Sequence, residues 1–208
     1  MGELLTKPAI EEFLTALDSR LESPVRLYLV GESSLVVEGW RDWTDVLVYT
    51  TDPTDPHGLQ QIVEQLSGEL EIKLERESPG DVIPLPKGYE ERGRPWRTSG
   101  DASTARASRL ELYHFDPYST GFRLIARGDE PDYQVVLVFL QQGWIELEEM
   151  DRLLADLLPR FTADTLQQDP AEFRRKYKGL RQMWRALEKR PSQVELPSNG
   201  QSGLHAGL

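Results

Sequence analysis

From Leu27 to Thr50 the chain reads LYLVGESSLVVEGWRDWTDVLVYT. A Gly-x-Ser turn, Gly31 and Ser33, stands between two apolar, strand-like runs. One aspartate, Asp45, follows where a metal site would call for a carboxylate pair. The chemistry in question is the binding of a metal-nucleotide, because a glycine turn lets backbone amides approach phosphate oxygens. The chain has no cysteine and only three histidines, which excludes disulfides, thiolate zinc sites and a cysteine nucleophile. A metal here would be a hard ion on oxygen ligands. Further groups that could do chemistry are Glu111 and His114 in RLELYHF, the pair Arg123 and Arg127, Asp132, and a basic run near the C-terminus.

Strands and helices must position these groups. Residues 8–21, PAIEEFLTALDSRL, open with proline and set Ile10, Phe13, Leu14, Leu17 and Leu21 at helical spacing. VRLYLV (25–30) predicts a strand ending at Gly31, SSLVVEGW a short helix closed near Gly39, and TDVLVY (44–49) a second strand. The two-residue period of that strand puts Asp45, Leu47 and Tyr49 on one face and Val46 and Val48 on the other. A loop dense in Asp and Pro leads to GLQQIVEQLSGEL, a helix by the spacing of Leu59, Ile62, Val63, Leu66 and Leu70, and then to a third strand at about 70–76. Residues 77–108 are rich in Gly, Pro, Ser and charge, with a small apolar insert at Val82, Ile83 and Leu85, and predict a long surface excursion. RLELYHF (109–115) restores a strand, and from Asp116 onward the pattern is helical. The expected fold is α+β, a small mixed sheet of about four strands with helices, followed by a helical C-terminal subdomain. The expected units are 1–128, including the loop at 77–108, then 129–190, then a disordered tail at 191–208.

With 38% hydrophobic and 28% charged residues the composition is that of a soluble globular protein, and no apolar run approaches the ~18 residues of a membrane span. The N-terminus, MGELLTKPAIEEFL, lacks the basic and apolar regions of a signal peptide, so a cytoplasmic location without membrane contact is expected. A net charge of −11 argues against a surface coated by nucleic acid. The charge is unevenly spread: residues 169–190 hold eight Lys/Arg against three Asp/Glu, leaving −16 on the remainder. In that segment Phe173, Tyr177, Leu180, Trp184 and Leu187 form an apolar stripe, while Arg174, Arg175, Lys178, Arg181 and Arg185 form a basic face. The basic face reads either as the solvated side of a docked helix or as a phosphate- or RNA-binding surface, the one place where nucleic acid would bind.

A strand, Gly-x-Ser, a short helix and a second strand bearing Asp45 resemble the nucleotidyltransferase fold, the superfamily of polymerase beta, whose second strand carries carboxylates two residues apart. The later segments DVIPLP, FDPYS and FRLIARGDEPDYQVV resemble its uncharacterised bacterial branch, related to abortive-infection nucleotidyltransferase toxins. The resemblance covers roughly residues 10–155. It implies two magnesium ions held by carboxylates on the second strand and a neighbouring strand, orienting a triphosphate. By that correspondence Gly31 and Ser33 match the turn, with Glu32 where a small residue is common. Asp45 matches the first carboxylate, Leu47 occupies the second, and Glu111 is the candidate third. Asp45 and Glu111 are thus the catalytic and metal candidates, and Gly31, Ser33, Arg123 and Arg127 the nucleotide- and phosphate-binding ones.

Each residue also has a structural reading. Gly31 and Ser33 would form a strand-to-helix turn with Ser33 as N-cap. Asp45 would bond a loop amide, Glu111 would face solvent on an edge strand, and Asp132 would pair with a neighbouring arginine. His114 would be structural rather than a base. Leucine cannot ligate magnesium, so the expectation is a nucleotidyltransferase-like protein with weak or lost transfer activity. Such a protein would bind a nucleotide or a macromolecular partner, as in a toxin–antitoxin or defence system. The rivals are an active magnesium-dependent enzyme modifying protein or RNA, and a purely structural or regulatory module.

Overall fold

The computed structural model describes residues 4–52, 58–96, 108–161 and 169–189. The tail expected at 191–208 and residues 97–107 of the expected excursion lie outside them. In chain order the elements are β1 (Leu5–Thr6), α1 (Lys7–Arg20), β2 (Val25–Leu29), α2 (Glu32–Val37), β3 (Trp43–Thr44), β4 (Leu47–Thr51), α3 (Leu59–Glu69) and β5 (Leu74–Arg76). They continue with β6 (Arg94–Trp96), β7 (Leu110–His114), α4 (Pro117–Arg127), α5 (Glu130–Gln141), α6 (Leu147–Leu157) and α7 (Pro170–Glu188).

The architecture is α+β, with one more strand in the main sheet than the four expected. A mixed five-stranded sheet runs β5-β4-β2-β7-β6, and β1 pairs with β3 in a separate two-stranded ribbon. β2 lies between antiparallel β4 and parallel β7. Registers Leu29↔Tyr49 and Leu29↔His114 fix which side chains share a face. Leu27, Leu29, Leu47, Tyr49, Leu110 and Leu112 pack on Ile10, Phe13, Leu14 and Leu17 of α1 and Leu59, Val63 and Leu66 of α3. The opposite face carries Arg26, Tyr28, Val48, Thr50, Glu111 and Tyr113. A second core unites Phe122 and Ile125 of α4, Val136 and Phe139 of α5, Met150 and Leu153 of α6, and Phe173, Tyr177 and Leu180 of α7. The helical layer therefore begins at α4.

One local expectation is corrected and a second refined. TDVLVY is not one strand: Thr44 pairs with Leu5 in the ribbon, Leu47 opens β4, and Asp45 and Val46 make the bend between. The segment 77–93 runs over the surface, with Ser78, Gly80, Asp81, Lys87, Gly88, Glu90 and Glu91 exposed, but it is anchored, since Ile83 is 1% exposed inside the helical core and Glu77 is 6% exposed. Its composition hid one apolar anchor and the three-residue strand β6, in which Pro95 stands at a sheet edge.

Candidate functional site

The turn after β2 is built for glycine: Gly31 sits at φ 59°, ψ −124°, a conformation that L side chains rarely adopt. Gly31, not Ser33, is the N-cap of α2. Ser33 lies inside the helix, fully buried, and its hydroxyl accepts from the Val48 N–H at 2.7 Å. Ser34 bonds the Leu29 carbonyl at 3.2 Å. Both hydroxyls thus fasten α2 to the sheet.

Between this turn and the α4–α5 junction lies a pocket of about 250 Å³, walled by Gly31, Val46, Val48, Glu75, Arg127 and Asp132 among others. Val46 of the bend and Val48 of β4 line it. Leu47, fully buried in the α1–α3 core, faces away, and Asp45 is exposed on the bend. Every buried charge near the pocket has a partner. Arg123 pairs with Glu77, and Arg127 pairs with Asp132 and, at 3.8 Å, with Glu77. Glu32 is turned onto Arg41 at 2.5 Å and takes the Thr44 hydroxyl at 3.1 Å. Contact with Asp132 raises the pKa of Arg127, whereas burial, helped by Arg127, lowers that of Arg123. Carboxylates outnumber arginines here, so a bare phosphate group is disfavoured. Among the described residues no three His, Asp or Glu side chains converge as a metal-binding group.

Glu111 is far from this turn. It lies opposite Arg26, binds it at 2.9 Å, and stands on β7 between β2 and β6 rather than on an edge strand. Counting residues along the registers, Asp45 and Glu111 are about seven positions apart, roughly 20 Å. A magnesium ion holds each ligand at about 2 Å, so these two carboxylates cannot share one. Of the predicted residues the structure brings Gly31 and Arg127 to one pocket, keeps Ser33 buried in α2 and Arg123 on Glu77, and leaves Asp45 and Glu111 apart. Asp45 and Glu111, the predicted ligands, therefore do not fit one magnesium site.

A larger cleft of about 580 Å³ opens on the same sheet face, roofed by residues 78–93 and lined by Tyr28, Thr50, Asp52, Tyr89, Glu90 and Phe115 with others. Arg92 holds the roof in place, binding the Asp116 carboxylate through two nitrogens at 2.9 and 2.8 Å. Asp116 also caps α4, accepting from Tyr118 N and Ser119 N at 3.2 Å each. Sequence reading missed this cleft. Its one readable signal was the shared face of Tyr28 and Thr50, which follows from period two once the register is known.

His114 is 2% exposed and bonds Glu38 at 2.9 Å among Trp40, Trp96 and Trp144, on the core side of the sheet. On α7, Arg174, Arg175, Lys178 and Arg185 are exposed, and Arg181 meets Asp151 at 3.1 Å. Arg175 lies 3.8 Å from Glu172, whereas Arg174, Lys178 and Arg185 have no ion pair to a described residue. Among the described residues no helix is long and apolar enough to cross a membrane. In comparisons with protein families, curated proteins and solved structures, the chain gives no significant match.

Proposed function

We propose that the chain is a nucleotidyltransferase-like protein that has lost metal-dependent transfer and works by binding. The observation that carries this reading is the wall of the turn pocket: the two side chains that line it beside Gly31, two residues apart as a metal pair must be, are Val46 of the bend and Val48 of β4. Strand, Gly31 turn, short helix and second strand follow in the expected order. Arg127 lines the pocket with Gly31, and Arg123 reaches it through Glu77, which supports the shared ancestry of the site. The chemistry fails at its centre, because valine offers no oxygen and Glu32, Glu77 and Asp132 are committed to Arg41, Arg123 and Arg127. The role left to such a scaffold is recognition of a small molecule or of a partner in the same kind of system, a toxin–antitoxin pair among them.

Thermal unfolding with each NTP, with and without magnesium, tests this. The wild-type midpoint is expected to ignore magnesium, whereas the double variant Val46→Asp with Val48→Asp gains a magnesium-dependent rise. A ligand at about 100 times its Kd stabilises by ~2.7 kcal/mol, which such a midpoint resolves. A magnesium–NTP shift in the wild-type chain that disappears in Asp45→Ala would overturn the reading.

A further inference from the structure

We infer that the cleft between the open sheet face and residues 78–93 binds an uncharged planar heterocycle carrying hydroxyl groups, a ligand of the nucleoside class. Its volume, about 580 Å³, lies within the range of small-molecule sites. Three rings meet in it: Tyr28 and Phe115 stand edge to face with centroids 5.9 Å apart, and Tyr89 and Phe115 tilt at 6.1 Å. This wedge offers both a ring face and a ring edge to a flat heterocycle. The polar groups around it are of both kinds. The Thr50 side chain, 7% exposed, faces the cleft from the sheet beside Tyr28. Asp52 accepts from Tyr28 Oη at 3.1 Å, and Glu90 has no ion pair to a described residue. Together they supply acceptors and donors for sugar hydroxyls.

Charge sets the class. Arg26 is engaged with Glu111 and stacked 5.2 Å over Tyr113, and Arg76 donates to Thr51 Oγ1 at 2.6 Å. Against them stand Asp52 and Glu90, so the cleft gives a phosphate tail no net attraction. The roof is held shut by Arg92 on Asp116 and by Arg160 on the Leu85 carbonyl at 2.7 Å, so the wedge exists before ligand arrives. The inference extends the proposed binding role but uses none of the residues at the Gly31 turn. It can therefore fail while the transfer assays stay negative.

The experiment is isothermal titration of the full chain with the four ribonucleosides and their 5′-triphosphates, without metal. At least one nucleoside is expected to bind, with its triphosphate equal or weaker. Tyr89→Ala should weaken it about tenfold or more. The near-isosteric Thr50→Val should weaken it as well, with the unliganded melting point retained. Binding by triphosphates only, binding unchanged in both variants, or no binding by any nucleoside would overturn the inference.

Discussion

Val46, Leu47 and Val48 carry opposite burdens within three residues. Leu47 is fully buried against α1 and α3, so Leu47→Asp puts an unpaired carboxylate into that core and should cost about 3–5 kcal/mol in urea unfolding. Val48→Asp, on the half-buried pocket wall, should cost less than half as much. The sequence alternation separates Leu47 from Val46 and Val48, but alternation alone does not say which face meets the Gly31 turn. That requires knowing where α1 and α3 pack, a tertiary fact. Glu77 is the second test at this scale: Glu77→Ala leaves Arg123 buried without its carboxylate and should cost about 3 kcal/mol or more. Glu38 gives a pH test. The bond to His114 is the first cause that lowers its carboxyl below the ordinary 4.5. The resulting stability is present above about pH 4.5 and lost as pH falls through the lowered value. Glu38→Gln should flatten that part of the acid limb in urea midpoints taken from about pH 3 to 6. An unchanged limb would contradict the assignment.

At the scale of elements, helices were readable because their stripes are long: α1, α3 and α7 bury most of the side chains their spacing selects, with Ile62, Leu70, Trp184 and Leu187 only partly covered. Short strands were not. β6 has three residues, and β3 and β4 read as one run because the bend at Asp45 and Val46 leaves β-forming residues on both sides. The roof of the cleft could not be found from composition, since one anchor, Ile83, and one latch, Arg92, have no period. That latch yields a prediction. The Asp116 side chain is completely buried, so Arg92→Ala strands a carboxylate and should release residues 78–93. Hydrogen exchange should then rise across the roof while α1 and α3 stay protected. Uniform protection would contradict a latching role.

Across the whole molecule, acidity and the basic helix α7 decide which large partners fit. The chain carries −11, and on α7 three of the predicted cations, Arg174, Lys178 and Arg185, have no described ion-pair partner. Lys176 is spent inside, donating to the Ala126 and Arg127 carbonyls at the end of α4 at 2.5 and 3.1 Å. Contact through three cations with single-stranded RNA gives a salt slope of only about −2, so tight binding at physiological salt is not expected. Fluorescence anisotropy with a labelled single strand at rising salt checks this. Submicromolar affinity lost in an Arg174→Glu, Lys178→Glu, Arg185→Glu variant would contradict it. Of the stripe Phe173, Tyr177, Leu180, Trp184 and Leu187, the first three pack as core, while Trp184 and Leu187 are only partly buried against it.

The central claim is that this scaffold has kept the turn and lost the chemistry. The most direct measurement incubates the purified chain with each NTP labelled on the α-phosphate, magnesium or manganese, and both RNA and protein acceptors, and follows label transfer. The account predicts no labelled product from the wild-type chain under any of these conditions. A labelled product that disappears in the Asp45→Ala variant would contradict it.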